Sequence, residues 1–225
     1  HIALYLPHLE ELSVRESFMI DDAGVIAIAR ACTQLRVLDV SVGDTVTDAA
    51  VVEVGRSCRL LTSFSAADCE LVTDAALCTL NPATLTALDV QNTRVTGAFA
   101  ARFLSEGSGL CTLNVSSCYK LGKKFADSIH VHNSLRVLNM KYTTLSKPMW
   151  AKLATLLPCV HSIDATNCQG VTDAVVKHLT EHTPIKYFNV YACGVTKKKV
   201  EKYRCVRFDY TTEDLVEGSA HRWCD

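Results

Sequence analysis

A chain of 225 residues, 48% of them hydrophobic, is long enough to bury a sizeable core, yet no run approaches the ~20 apolar residues that cross a bilayer. Its start lacks the charged-then-apolar pattern of a secretory leader, so no membrane association is expected. The net charge of −1 conceals a gradient, because residues 1–110 hold 14 acids and 7 bases while residues 111–225 hold 10 acids and 16 bases.

In chain order, residues 1–8 read as the tail of a preceding repeat or helix, and the protein is expected to continue upstream. From residue 9 a Leu-x-x-Leu-x-Val pattern recurs eight times, starting at Leu9, Leu35, Leu61, Leu85, Leu110, Leu135, Val160 and Ile185. The starts lie 26, 26, 24, 25, 25, 25 and 25 residues apart, a period that fits one strand plus one helix and falls short of two-helix repeats. In a strand Leu38 and Val40 point to one face and Asp39 to the other, so a core face and a solvent face are expected. A small or weakly polar residue follows at Ser17, Gly43, Cys69, Thr93, Cys118, Thr143, Cys168 and Cys193. Such groups suit a crowded bend whose backbone amides need partners. Val46-Thr47-Asp48, Val72-Thr73-Asp74 and Val171-Thr172-Asp173 then open helices, since hydroxyl or carboxylate accepts from orphaned N–H groups and Asp favours the positive helix end. These helices are expected over Ala49 to Gly55, Ala75 to Leu80 and Ala174 to Leu179. The eight repeats fill residues 9–204, and residues 205–225 read as a C-terminal cap and tail.

One repeat cannot bury its own apolar face, so neighbours must stack. The expected fold class is α/β: a leucine-rich-repeat solenoid, curved, with parallel strands on the concave side and short helices on the convex side. Of eleven cysteines, Cys69, Cys118, Cys168 and Cys193 share one repeat position, and Cys32 and Cys58 share another, three residues before the next strand. Stacked in this way they read as reduced packing residues, which points to an intracellular, cytoplasmic protein, with a cytoskeletal or nuclear place also compatible. Residues Cys32 to Asp48 and Cys58 to Asp74 carry both cysteines and the Thr-Asp start, and in this they resemble the cysteine-containing repeats of F-box/LRR proteins. The resemblance implies a substrate-recognition domain of a cullin-RING ubiquitin ligase, its adaptor held by an upstream region absent from this sequence. Some copies depart from the signature, with Gly43, Thr93 or Thr143 at the Cys position and Thr96-Gly97, Gly122-Lys123, Ser146-Lys147 or Thr196-Lys197 in place of Thr-Asp.

No phosphate loop, Gly-x-Ser-x-Gly or His-Glu-x-x-His is present, so neither an enzyme nor a cofactor is expected. Nor is a metal: the cysteines lack paired zinc spacing, the His221-x-x-Cys224 pair and the His130/His132 pair are set aside, and the Asn114-Val115-Ser116 sequon is read as coincidence. Asp39, Asp89 and Asp164 alternate with Ser13, Ser65, Asn114, Asn139 and Asn189 in one concave column, expected to be a hydrogen-bonding strip rather than a cation site. Most flanking concave residues are small, and bulk gathers at one end. There Tyr187 and Tyr191 flank Asn189, with Lys141, Tyr142, Asn139 and Asp164 close by. These seven residues are the candidate protein-binding site, since aromatic rings beside cations make good hot spots. Alternatively, the tyrosines cap the last repeat together with Phe208 and Tyr210. Lys197, Lys198, Lys199, Lys202, Arg204 and Arg207 form a basic stretch that is either a solvated end cap or an anion or RNA contact. The leading expectation is a non-catalytic protein-interaction module. The alternative is a scaffold subunit of a cytoskeletal, axonemal or ribonucleoprotein assembly, where that basic stretch would meet RNA.

Overall fold

The computed structural model describes residues 5–17, 19–105, 109–131 and 134–209; His132, Tyr210, His221 and Cys224 lie outside them. Each Leu-x-x-Leu-x-Val copy forms one short strand: β1 (Glu11–Ser13), β2 (Val37–Asp39), β3 (Ser63–Ser65), β4 (Ala87–Asp89), β5 (Thr112–Asn114), β6 (Val137–Asn139), β7 (Ser162–Asp164) and β8 (Tyr187–Asn189). A two-residue β9 (Val206–Arg207) follows the eighth repeat. All nine pair in parallel, in chain order, as a single sheet. The register repeats without slippage, with Leu38 beside Phe64, Leu88 beside Leu113 and Ile163 beside Phe188. The chain is thus a leucine-rich-repeat solenoid.

Helices cover the other side: α1 (Asp22–Ala31), α2 (Asp48–Ser57), α3 (Asp74–Leu77), α4 (Ala100–Phe103), α5 (Lys123–Ser128), α6 (Lys147–Leu156), α7 (Asp173–His182) and α8 (Lys197–Val200). None of the described helices is long and apolar enough to cross a membrane. Helices α2 and α7 exceed the expected spans at both ends, and α3 stops at Leu77, three residues early. Gly55 explains how α2 sits so close to the turn after α3, because a Cβ there would meet the Thr79 backbone at 2.7 Å. A single apolar cluster runs from Val25 to Val206. Where α4 and α5 shorten to four and six residues, Phe99 packs against Phe103 and Phe125 with both ring pairs 6.3 Å apart.

Thr47 and Thr73 cap their own helices, accepting from Ala49 N at 3.2 Å and Ala75 N at 3.3 Å. The adjoining aspartates do something else: each reaches the next repeat. Asp22 accepts from Thr47 N and Oγ1 at 2.8 and 2.6 Å, and Asp48 does the same for Thr73 at 2.7 and 2.6 Å. Asp74 takes four bonds, from Thr96 N and Oγ1, Gly97 N and Phe99 N. Asp173 resumes the relay with Thr196 N at 2.7 Å.

The bend after each strand adds a second role to the expected one. The sulfurs there both meet backbone amides, such as Gly43 for Cys69 and Thr93 for Cys118, and donate to carbonyls of the preceding repeat: Cys69 to Val40, Cys118 to Val90, Cys168 to Met140 and Cys193 to Ala165. Burial pushes these thiols up to about 11, and Cys193 to about 12, which leaves them protonated and poorly nucleophilic. All ten described cysteines are free.

Candidate protein-interaction face

The concave side carries three columns of side chains, one from each end of the strand and one from the residue two positions beyond it. The middle column is a row of local acceptors, because each holds the backbone N–H two residues on: Asp39 that of Ser41, Asp89 that of Gln91, Asn139 that of Lys141, Asp164 that of Thr166 and Asn189 that of Tyr191. An Asx side chain is short enough to make that bond and still face the groove. Asn114 also bridges strands, donating Nδ2 to Asp89 Oδ2 at 3.1 Å. Desolvation pushes the Asp89 carboxyl up to about 6, against the smaller downward pull of the Gln91 N–H and the Asn114 amide.

Lys141 and Asp164 meet across adjacent strands at 3.4 Å, with side-chain exposures of 15% and 1%. Asp164 also accepts from Thr166 Oγ1 at 2.7 Å, so its buried charge has both a cation and two donors. Tyr187 is half-buried on β8, and Tyr191, 39% exposed, stands at the rim beyond Asn189. Tyr142 leaves the strand face for the corner that follows, where its φ is 58° and its N–H donates to Thr166 O at 2.9 Å. The candidate set therefore divides into a buried charged pair, a half-buried aromatic rim, and Tyr142 at the edge.

The expectation of a solvent-facing strip holds only for the first repeats. Glu11, Ser13 and Arg15 on and beside β1 are exposed. On β5 to β8, Asn114, Asn139, Asp164 and Asn189 retain 3%, 4%, 1% and 0% of their accessible surface. Thr112 Oγ1 and Ser162 Oγ are buried with no hydrogen-bond partner. Three of the seven candidate residues, Asn139, Asp164 and Asn189, are thus buried and act through the surface they support. Sequence reasoning missed this burial because alternation tells which face a side chain takes, not how deeply it sits.

The basic stretch is exposed on α8 and around β9. Much of it has local work: Lys199 pairs with Asp173 at 3.1 Å, Lys197 lies over the Phe208 ring, Lys202 over the Tyr203 ring, and Arg207 donates to the Arg204 carbonyl. Lys198 extends from the same exposed helix. Among the described residues, no three His, Cys, Asp or Glu side chains gather as a metal-binding group.

No family model matches the chain, and no curated protein matches its sequence. Among solved structures, the crystal structure of the Rad7 and Elc1 complex in yeast is similar over 94% of this chain and 77% of that one, at 16% identity and a TM-score of 0.44. A likeness at that level carries no function across.

Proposed function

We propose that this chain is a non-catalytic protein-recognition module that works through the concave face and rim of its C-terminal repeats. The Cys and Thr-Asp signature of the early repeats favours the finer reading, the substrate-receptor part of an F-box-type ubiquitin ligase. The observation that carries the proposal is the concentration of the Lys141–Asp164 pair, Tyr187 and Tyr191 at one end of an otherwise small-residue sheet. Aromatic rings at such a rim bury large area at little entropic cost, beside a charge already oriented by its neighbours.

Affinity purification of the full-length protein from cells tests both levels. A protein partner should be retained by the wild type and weakened about tenfold or more by Tyr187→Ala with Tyr191→Ala, while the thermal transition stays in place. A large fall in stability with binding intact would assign those rings to the end cap. The ligase adaptor should co-purify with both forms, since it would bind upstream; its absence from both would remove the ligase reading and leave the recognition module.

A further inference from the structure

We infer that the cleft between the starts of α6 and α7, with the lysines beside it, is a second binding site, for a phosphorylated serine or threonine on a partner protein. The inference starts from an inversion of sign. Asp22, Asp48, Asp74 and Asp173 each open a helix and hold a backbone N–H at the helix start of the next repeat. At the same place α5 and α6 carry Lys123 and Lys147, the wrong sign for the positive end of a helix. The helices that follow those lysines also lack a cap of their own, since neither Ser146 at α6 nor Thr172 at α7 makes a side-chain capping bond. Arg94 in the bend after β4, Lys120 in the bend after β5 and Lys124 on α5 are exposed like Lys123 and Lys147. None of these five cations forms an ion pair with a described residue. Asp127, the acid of α5, is taken by Lys152 at 3.5 Å.

Thr144, Leu145, Ser146, Lys147, Gln169 and Gly170 line the cleft, whose volume is about 240 Å³. Its wall offers two hydroxyls, a carboxamide and an ammonium beside the first turn of a ten-residue helix. A second observation is independent of the helix ends. Trp150 is 1% exposed, and its Nε1 is buried without a hydrogen-bond partner. A Cβ on Gly170 would stand 2.7 Å from Trp150 Cδ1 and closer still to the Leu145 carbonyl, so only glycine fits there. The indole edge that carries Nε1 is thereby turned toward the cleft wall, and a buried N–H with no acceptor is costly. A phosphate monoester brings three acceptor oxygens and about two negative charges, which answers donors and cations together. The cleft is smaller than the ~300–1,000 Å³ of small-molecule pockets and suits a single charged group. The basic edge is also short, because exposed Glu70 stands one repeat before Arg94 and Asp173 opens α7. A nucleic-acid strand needs a longer cationic track, whereas a phosphorylated side chain needs one seat with cations around it. The site lies at the helix starts, off the concave columns, and so goes beyond the recognition face proposed above.

NMR titration of the isotope-labelled intact chain tests the site, read at the Trp150 indole N–H and the amides of Lys147, Gln169 and Gly170. The probes are a pool of short phosphoserine peptides with degenerate flanks, its unphosphorylated counterpart, inorganic phosphate and an oligouridylate. The phosphopeptide pool should shift these signals saturably and bind about tenfold or more tighter than the unphosphorylated pool and inorganic phosphate. Lys123→Asp should weaken that binding about tenfold, because a carboxylate one repeat before Ser146 repeats the Asp48 arrangement and takes the donors itself, while the thermal midpoint holds or rises. Equal affinity for inorganic phosphate would mean an adventitious ion only, tighter binding of the oligouridylate would name a nucleic acid, and unmoved signals would leave no site; each overturns the inference. Should Lys123→Asp unfold the chain, Lys147→Gln decides, and unchanged phosphopeptide affinity in that variant overturns it as well. Residues of the concave columns take no part in these signals, so failure here leaves the recognition role standing.

Discussion

Val42 is β-branched and yet left-handed, with φ at 62°, and the equivalent residue in every repeat shares that conformation: Glu16, Asp68, Asn92, Ser117, Tyr142, Asn167 and Ala192. Each costs on the order of 1–2 kcal/mol outside glycine. The neighbouring strand offsets it, since Val42 N donates to Ala67 O at 2.8 Å and Asn92 N to Ser116 O at 2.9 Å. Only Asp68, Asn92 and Asn167 hint at this bend in the sequence, because elsewhere the sheet, not the residue, imposes it. Asp89 shows the same dominance of surroundings over residue type. Its carboxyl sits at about 6, raised first by desolvation and then by Asp39 and Asp68, above the ~3.9 of an unfolded Asp. The folded state therefore binds this proton more tightly. Asp89 lowers stability at pH 7, and the cost fades as pH falls through about 6 toward 4. Denaturant melts of wild type and Asp89→Asn should show the difference shifting in favour of wild type between pH 7 and pH 5, since the amide cannot titrate; a difference that ignores pH would place Asp89 in an ordinary aqueous setting.

At the scale of the helix, stability depends on a bond between elements. The Thr-Asp pair was legible as a helix start, and Thr47 and Thr73 act as such, but the aspartate serves the repeat ahead. The clue lay in the period: Asp22 to Thr47 and Asp48 to Thr73 are each 25 residues apart, so each carboxylate has a hydroxyl stacked one repeat on. Helix α4 makes the dependence plain, for its N-terminus has no side-chain cap of its own and Asp74 receives Gly97 N and Phe99 N, both at 3.0 Å. Asp74→Ala should cost about 2–4 kcal/mol because it strands several donors at once. Asp173→Ala, which loses one backbone bond and an exposed pair with Lys199, should cost clearly less, because water takes up much of what is lost. Equal losses in chemical denaturation would mean that α4 finds its cap elsewhere.

Over the whole molecule, the leucine rhythm made the solenoid readable because every copy repeats one local pattern. The burial of Asn114, Asn139, Asp164 and Asn189 was not readable, since burial depends on positions far apart in sequence. A stack of this kind has stability that is close to a sum of repeat terms and neighbour interfaces, so position along the spring should decide how far a defect spreads. Leu113 in β5 is fully buried between Leu88 and Leu138. Leu12 in β1 has one strand neighbour, Leu38, and is only partly buried. Leu113→Ala removes contacts with two repeats and should cost about 2–5 kcal/mol. It should also lower amide protection on both sides of β5, through α3 and α6, because a weak central interface uncouples two half-stacks. Leu12→Ala should leave protection beyond α2 unchanged, its loss confined to a terminal coil that already opens most easily. Hydrogen exchange read peptide by peptide separates the two, and a Leu12 defect that loosens β7 and β8 would show that the chain unfolds as one unit rather than as coupled coils.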